Sequence, residues 1–247
     1  MKVIGIFNIK GGVGKTAAAV NLACLSAMDG VPTLLWDLDP QGAATFYFHK
    51  KHAKEGETKK ILNGKVDLED LTRKTDFENL RIIPSDMSYR HMDILLDGMK
   101  GSKKRIAELL ETLDTKYERV FLDCPPSISL LSENIFRAAG FLLVPTIPTP
   151  LSLRTGELLR EFLTAEEFDL GRTRLFYSMV DSRKKLHLET METYHPDDFT
   201  VCRNTIPYLS EIEKMGVSQI PVVAASATSR GSLAWRRLWM ELKKYDW

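Results

Sequence analysis

This chain predicts an α/β fold: a mostly parallel, twisted central sheet flanked by helices on both faces. Three observations carry the prediction. Short apolar runs alternate with longer helical patterns, the arrangement that crossover helices between parallel strands produce. The first of these runs, Val3-Ile4-Gly5-Ile6-Phe7, leads into a glycine-rich loop and then a helix pattern. At 247 residues and 44% hydrophobic the chain can bury one large core. No internal repeat or low-complexity linker divides it, so residues 1–247 read as one domain.

Strands are expected at 3–8, 33–38, 80–83, 119–123, 140–145, 174–180 and 201–206. The helix after the first strand carries Val20, Leu22, Ala23, Leu25, Ala27 and Met28, and stops at Asp29-Gly30, a suitable C-cap. The second strand runs into Trp36-Asp37-Leu38-Asp39 and is broken by Pro40-Gln41-Gly42. The stretch from His49 to Lys74 mixes Lys50, Lys51, Lys54, Lys59 and Lys60 with Glu55, Glu57, Asp67 and Glu69. Mixed charge of this kind reads as a solvated surface excursion, with a nucleic-acid contact as the alternative. The strand at 119–123 ends in Asp123, before Cys124-Pro125-Pro126-Ser127. From Ser232 onward the pattern is amphipathic, with Trp235, Leu238, Trp239 and Leu242 on one face and Arg236, Arg237, Lys243 and Lys244 beside it. That face is expected on the sheet; an interfacial membrane helix is the other reading of the pattern.

The formal net charge is +1, which excludes a strongly basic protein but not a local basic patch. No apolar run approaches membrane-spanning length, and the first residues read as a strand rather than a signal peptide. Cysteines occur only at 24, 124 and 202, without CxxC or metal-ligand spacing. Such sparse thiols fit a reducing compartment and exclude a clustered iron–sulfur site. A cytoplasmic protein is expected.

Lys10-Gly11-Gly12-Val13-Gly14-Lys15-Thr16 is a phosphate-binding loop. Glycines let consecutive N–H groups turn inward around a phosphate, and Lys15 brings a charge to its outer oxygens. The Thr16 hydroxyl suits Mg²⁺, and the helix it opens directs its positive end at the same anion. The strict G-x-x-x-x-G-K-T pattern fails at Ile9, which stands where the first glycine belongs; a second lysine, Lys10, follows it. Asp123, at a strand end, is placed to hold Mg²⁺ directly or through water. Asp37 and Asp39 are two apart, so on a strand they point to one side, toward the γ-phosphate. Either is also a candidate strand-end cap or Asx-turn residue.

The loop resembles the deviant Walker A box of the ParA/MinD family of P-loop ATPases, ParA (Soj-like) branch. Leu34 to Gly42 resembles switch I of that branch, Val120 to Ser127 its Walker B strand and switch II, and Ser229-Arg230-Gly231 its C-terminal element. The resemblance implies ATP and Mg²⁺ as cofactors, with ATP held by Lys10, Gly11, Gly12, Val13, Gly14, Lys15, Thr16 and Ala17. Thr16, Asp37 and Asp123 then form the metal shell, Asp39 positions the attacking water, and Asp181 and Pro207 contact the base. It further implies an ATP-sandwich homodimer in which Lys10 reaches the partner subunit's phosphates, as an arginine finger does.

On this template the chain is a partition ATPase that binds non-specific DNA, is stimulated by a ParB-like or cargo-adaptor partner, and positions plasmid, chromosome or other cargo. Arg183, Lys184, Arg203 and Arg230 are the candidate DNA contacts. One departure stands out: the Pro207 segment continues Tyr208-Leu209-Ser210-Glu211, without the arginines that the branch carries there. The alternative is a MinD-like, membrane-associated or otherwise non-DNA regulatory switch.

Overall fold

The computed structural model describes residues 1–51, 58–194, 196 and 199–245. Lys54, Glu55 and Glu57 of the charged excursion, and Trp247, lie outside the described residues. The strands are β1 (Lys2–Ile6), β2 (Thr33–Asp37), β3 (Arg73–Lys74), β4 (Leu80–Ile83), β5 (Arg119–Asp123), β6 (Phe141–Thr146), β7 (Thr173–Tyr177) and β8 (Thr200–Val201). They form one sheet in the order β3-β4-β2-β5-β1-β6-β7-β8, parallel throughout except for the β3–β4 pair.

Each inner strand is apolar on both sides, because helices cover both faces. On one side Val3, Leu34, Trp36, Val120 and Leu122 pack with Ile106, Leu131, Ile135, Leu159 and Leu163. On the other, Ile4, Ile6, Leu35 and Phe121 pack under the helix Lys15–Met28 and the helix Arg230–Leu242. Trp235, Leu238, Trp239 and Leu242 are at most 2% exposed, and the Trp239 indole N–H donates to Asp29 at 2.9 Å. The face that a membrane-binding reading would turn outward is therefore core.

Several strand limits differ from the expected ones. β1 ends at Ile6 and β7 at Tyr177, short of 8 and 180. The run at 201–206 is a strand only at its start, and the cause is visible. Cys202 and Ile206 still donate N–H groups to β7, but the N–H groups of Arg203 and Asn204 turn instead to the Glu241 carboxylate, at 2.7 and 2.8 Å. The short cationic edge strand β3 carries too few residues for an alternation to show in the sequence, and a charged edge of that length discourages further pairing.

Strand order places β1 between β5 and β6, so the connections leaving β1 and β6 diverge at their carboxyl ends. That crevice is where open α/β sheets bind ligands. Registers align Asp123 with Ile6 on one side and with Asp37 on the other, placing both carboxylates beside the start of the glycine loop.

Candidate nucleotide site

The loop from Asn8 to Gly14 is shaped by its glycines. Gly12 (φ 72°) and Gly14 (φ 93°) take the left-handed conformation that side chains resist. Gly14 also packs closely: a Cβ there would stand 2.8 Å from Ser178 Oγ, past the end of β7. The helix Lys15–Met28 starts immediately after, with Thr16 and Ala17 in its first turn, so its unpaired N–H groups face the loop. Val13 is fully buried and anchors the loop from below, while Gly11 and Gly12 are exposed to an incoming phosphate.

The two lysines separate. Lys15 is 7% exposed and donates from Nζ to the Lys10 carbonyl at 3.2 Å, across the mouth of the loop. Burial lowers its pKa, against the opposing pull of Asp123, Cys124 and Asp39. Lys10, half-buried, sends its Nζ away to Ser152 Oγ, 3.1 Å distant, at the start of the helix Pro150–Ala165. Its charge is thus parked beside the loop rather than in it.

Asp123 is 1% exposed, and neither of its carboxylate oxygens has a hydrogen-bond partner among the described residues. Burial and then the Asp37 charge raise its pKa well above the carboxylate range; Thr16 and Lys15 act in the other direction. The Thr16 hydroxyl is close enough to be felt electrostatically without the geometry of a hydrogen bond. An orphaned buried carboxylate beside a hydroxyl and a lysine fits a hard cation. The described residues contain no cluster of three or more His, Cys, Asp or Glu able to hold a metal alone. Mg²⁺ is held by few protein ligands, since it keeps waters and takes phosphate oxygens.

Asp37 and Asp39 do not stand together as strand geometry predicted. β2 ends at Asp37, and Asp39 lies in the following turn, which closes through the Gly42 N–H donating to the Asp39 carbonyl at 2.9 Å. Asp37 is fully buried, and its Oδ2 accepts both the N–H and the hydroxyl of Thr45, each at 2.7 Å. Burial pushes its pKa up to about 6 despite those bonds. Asp37 thus pins the switch segment, and its oxygens are committed to that task in this conformation. Asp39 is half-buried; its Oδ1 accepts the Gln41 N–H at 2.9 Å, an Asx-type turn. Sequence reasoning missed Thr45 and the half-buried Tyr47, whose hydroxyl is close enough for Asp123 to raise its pKa, after burial. No periodicity or spacing marks such residues.

The expected base and DNA contacts are partly rearranged. Val180 and Pro207 pair through an isolated parallel bridge, which brings the Asp181 and Pro207 loops together. The Asp181 carboxylate, however, is held by Arg183 through two bonds of 2.9 Å, and this pairing lowers its pKa to about 2. The pair is at the surface, with the Arg183 side chain 83% exposed, so it is solvent-screened and open to exchange with a ligand. Lys184 is exposed on the same loop. Arg203 and Arg230 do come together: with Asn204, Thr205, Pro207 and Arg237 they line a cavity of about 480 Å³. Arg236 and Lys244 extend the cationic surface into a neighbouring cavity of about 510 Å³.

Comparison with known proteins agrees with the geometry. A family model described as an AAA domain matches residues 1–167. Over 242 residues the chain is 30% identical to the sporulation initiation inhibitor protein Soj of Bacillus subtilis, covering 94% of each. It is 27% identical to the chromosome-partitioning ATPase Soj of Treponema pallidum, covering 99% of this chain and 98% of the relative. Among solved structures, a plasmid partition protein of Borrelia burgdorferi bound to AMPPNP superposes with a TM-score of 0.85 at 22% identity, over 99% of both chains. With the two-lysine loop, the orphaned Asp123 and the full-length match to Soj all in agreement, the chain belongs to the ParA/MinD family of P-loop ATPases, on its Soj-like side.

Proposed function

We propose that this protein is a cytoplasmic, Mg²⁺-dependent partition ATPase that pairs into an ATP-sandwich homodimer, binds DNA without sequence preference and releases it on hydrolysis. The observation that carries the reading is the division of labour between Lys15, set inside the loop, and Lys10, half-buried at its rim and tethered, among the described residues, through one bond to the Ser152 hydroxyl. A cation at the rim can be exchanged to a second molecule's phosphates at little cost, as one hydrogen bond nets only about 0.5–1.5 kcal/mol.

The loop N–H groups and Lys15 hold the phosphates. Thr16 and Asp123 are the groups that would hold Mg²⁺, which when bound neutralises charge on the transferring phosphoryl group. Asp39 orients the attacking water, and Lys10 delivers transition-state charge in trans, so turnover is tied to pairing. A stimulating partner of ParB or cargo-adaptor type would act on that assembled state. The chromosome and plasmid partition roles named for the relatives favour DNA as the surface bound, through Arg203, Arg230 and Arg237.

The test uses Asp39→Ala to hold the ATP state, with light scattering for mass and co-sedimentation with duplex DNA in ATP against ADP. ATP-dependent doubling of mass with DNA bound supports the reading. An ATP dimer that ignores DNA at low salt and sediments with anionic vesicles would favour the membrane-associated switch instead.

A further inference from the structure

The switch segment is held by a relay whose two hydroxyl residues, Thr45 and Ser85, lie outside every sequence motif. Ser85, just beyond β4, is fully buried; its Oγ donates to the Asp39 carbonyl at 2.6 Å. Its N–H donates to Thr45 Oγ1 at 2.8 Å. Thr45, 1% exposed, donates its hydroxyl and N–H onward to Asp37 Oδ2, and Asp37 Oδ1 takes the Asp39 N–H at 3.3 Å. The direction of this relay is determined: the single Thr45 hydroxyl hydrogen goes to the carboxylate, so the oxygen lone pair faces Ser85. Both main-chain groups of Asp39 are consequently gripped, one by Asp37 and one by Ser85. Its Oδ1 is used by the Gln41 N–H, which leaves Oδ2 without a protein partner among the described residues.

We propose that Ser85 and Thr45 are positioning residues for hydrolysis: they reference the Asp39 turn to the rigid sheet through β4 and aim Oδ2 at the attacking water. The inference rests on the reading of Asp39 as the water-positioning group. A turn on its own would fluctuate, whereas a buried, fully satisfied network has one low-energy arrangement. Misplacing a reacting group by about 1 Å can cost about 10²-fold in rate. Among the described residues the side chains of Ser85 and Thr45 hydrogen-bond only within this relay and not to the phosphate loop, so nucleotide affinity should not depend on them.

The experiment compares Ser85→Ala, Thr45→Val, Thr45→Ser and Asp39→Ala in the full chain. It measures single-turnover hydrolysis at saturating Mg-ATP and affinity for a fluorescent ATP analogue. Ser85→Ala and Thr45→Val should lower kcat about 10–100-fold, with affinity within about 3-fold of wild type. Thr45→Ser, which keeps the hydroxyl, should hydrolyse like wild type. The double variant Ser85→Ala/Thr45→Val should be no slower than the worse single one, because both break a single relay. Wild-type turnover in Ser85→Ala and Thr45→Val beside an inactive Asp39→Ala overturns the relay and spares the reading of Asp39. Wild-type turnover in Asp39→Ala overturns that reading and the relay with it. An affinity loss that matches the loss in kcat would mark general loosening and likewise overturn the proposal. If Ser85→Ala does not fold, equal rates for Thr45→Ser and Thr45→Val overturn it.

Discussion

Asp123→Asn should make the nucleotide-free protein more stable and less active at once. Asp123 is buried, its oxygens lack partners among the described residues, and Asp37 stands beside it on the next strand. Burial first, then Asp37, raises its pKa well above the ordinary range. In the unfolded chain the carboxyl ionises near pH ~4. Between that value and the folded pKa, the folded state holds a proton that the unfolded state has lost. The contribution is therefore fully present below the unfolded pKa and declines as pH rises, by about 1.4 kcal/mol per unit, until the folded pKa is passed. Asparagine has the same shape and no such proton. Urea unfolding without nucleotide should show wild type and variant converging near pH ~4, and the variant gaining stability over wild type as pH rises above that value. Hydrolysis at saturating Mg-ATP should fall about 10²–10³-fold, as loss of one preorganised electrostatic group does. A stability difference that does not change with pH, or turnover at the wild-type rate, would refute the argument.

Lys15→Ala should abolish ATP binding, since the loop loses its buried cation; a titration with affinity within a few-fold of wild type would show that the phosphates bind elsewhere. Lys10→Ala should keep one ATP per protomer and lose dimerisation, hydrolysis or both, read by light scattering and phosphate release; a monomer turning over normally rules out delivery in trans. Mg-ATP binding should release protons near pH 6, because a nearby cation favours ionisation of Asp37. Affinity should then weaken below that pH, and calorimetry in buffers of different ionisation enthalpy reads the proton count. The ATP-state dimer should lose DNA affinity linearly in log–log against salt, with a slope of about 0.9 per phosphate contact. Arg203→Glu/Arg230→Glu should remove binding by reversing two charges that share one cavity, and a variant retaining wild-type affinity would place the DNA surface elsewhere.

The phosphate loop, both carboxylate-bearing strand ends and the amphipathic last helix were legible in the residues alone. Each depends on local rules: glycines where φ is positive, an apolar run before a carboxylate, a helical stripe of Trp235, Leu238, Trp239 and Leu242. Packing decided what local rules leave open. Two spaced aspartates suggested one shared side, but the chain turns after Asp37, so one carboxylate is buried as a pin and the other is left at the surface of the turn.

Some features needed contacts across the whole chain. Asp181 and Arg183, read as contacts for separate ligands, pair with each other at the surface in this conformation. Glu241, far along the sequence, takes the N–H groups that would have continued β8, and so bends the chain toward Pro207. Thr45 and Ser85 meet only because β4 lies next to β2. Sequence by itself therefore determined the fold class and the chemistry of the phosphate end, because backbone conformation and hydrophobic period are local properties. Which carboxylate is pinned, where Lys10 is held and what aims Asp39 depend on hydrogen bonds between residues up to 142 positions apart, and only the folded chain brings those partners within reach.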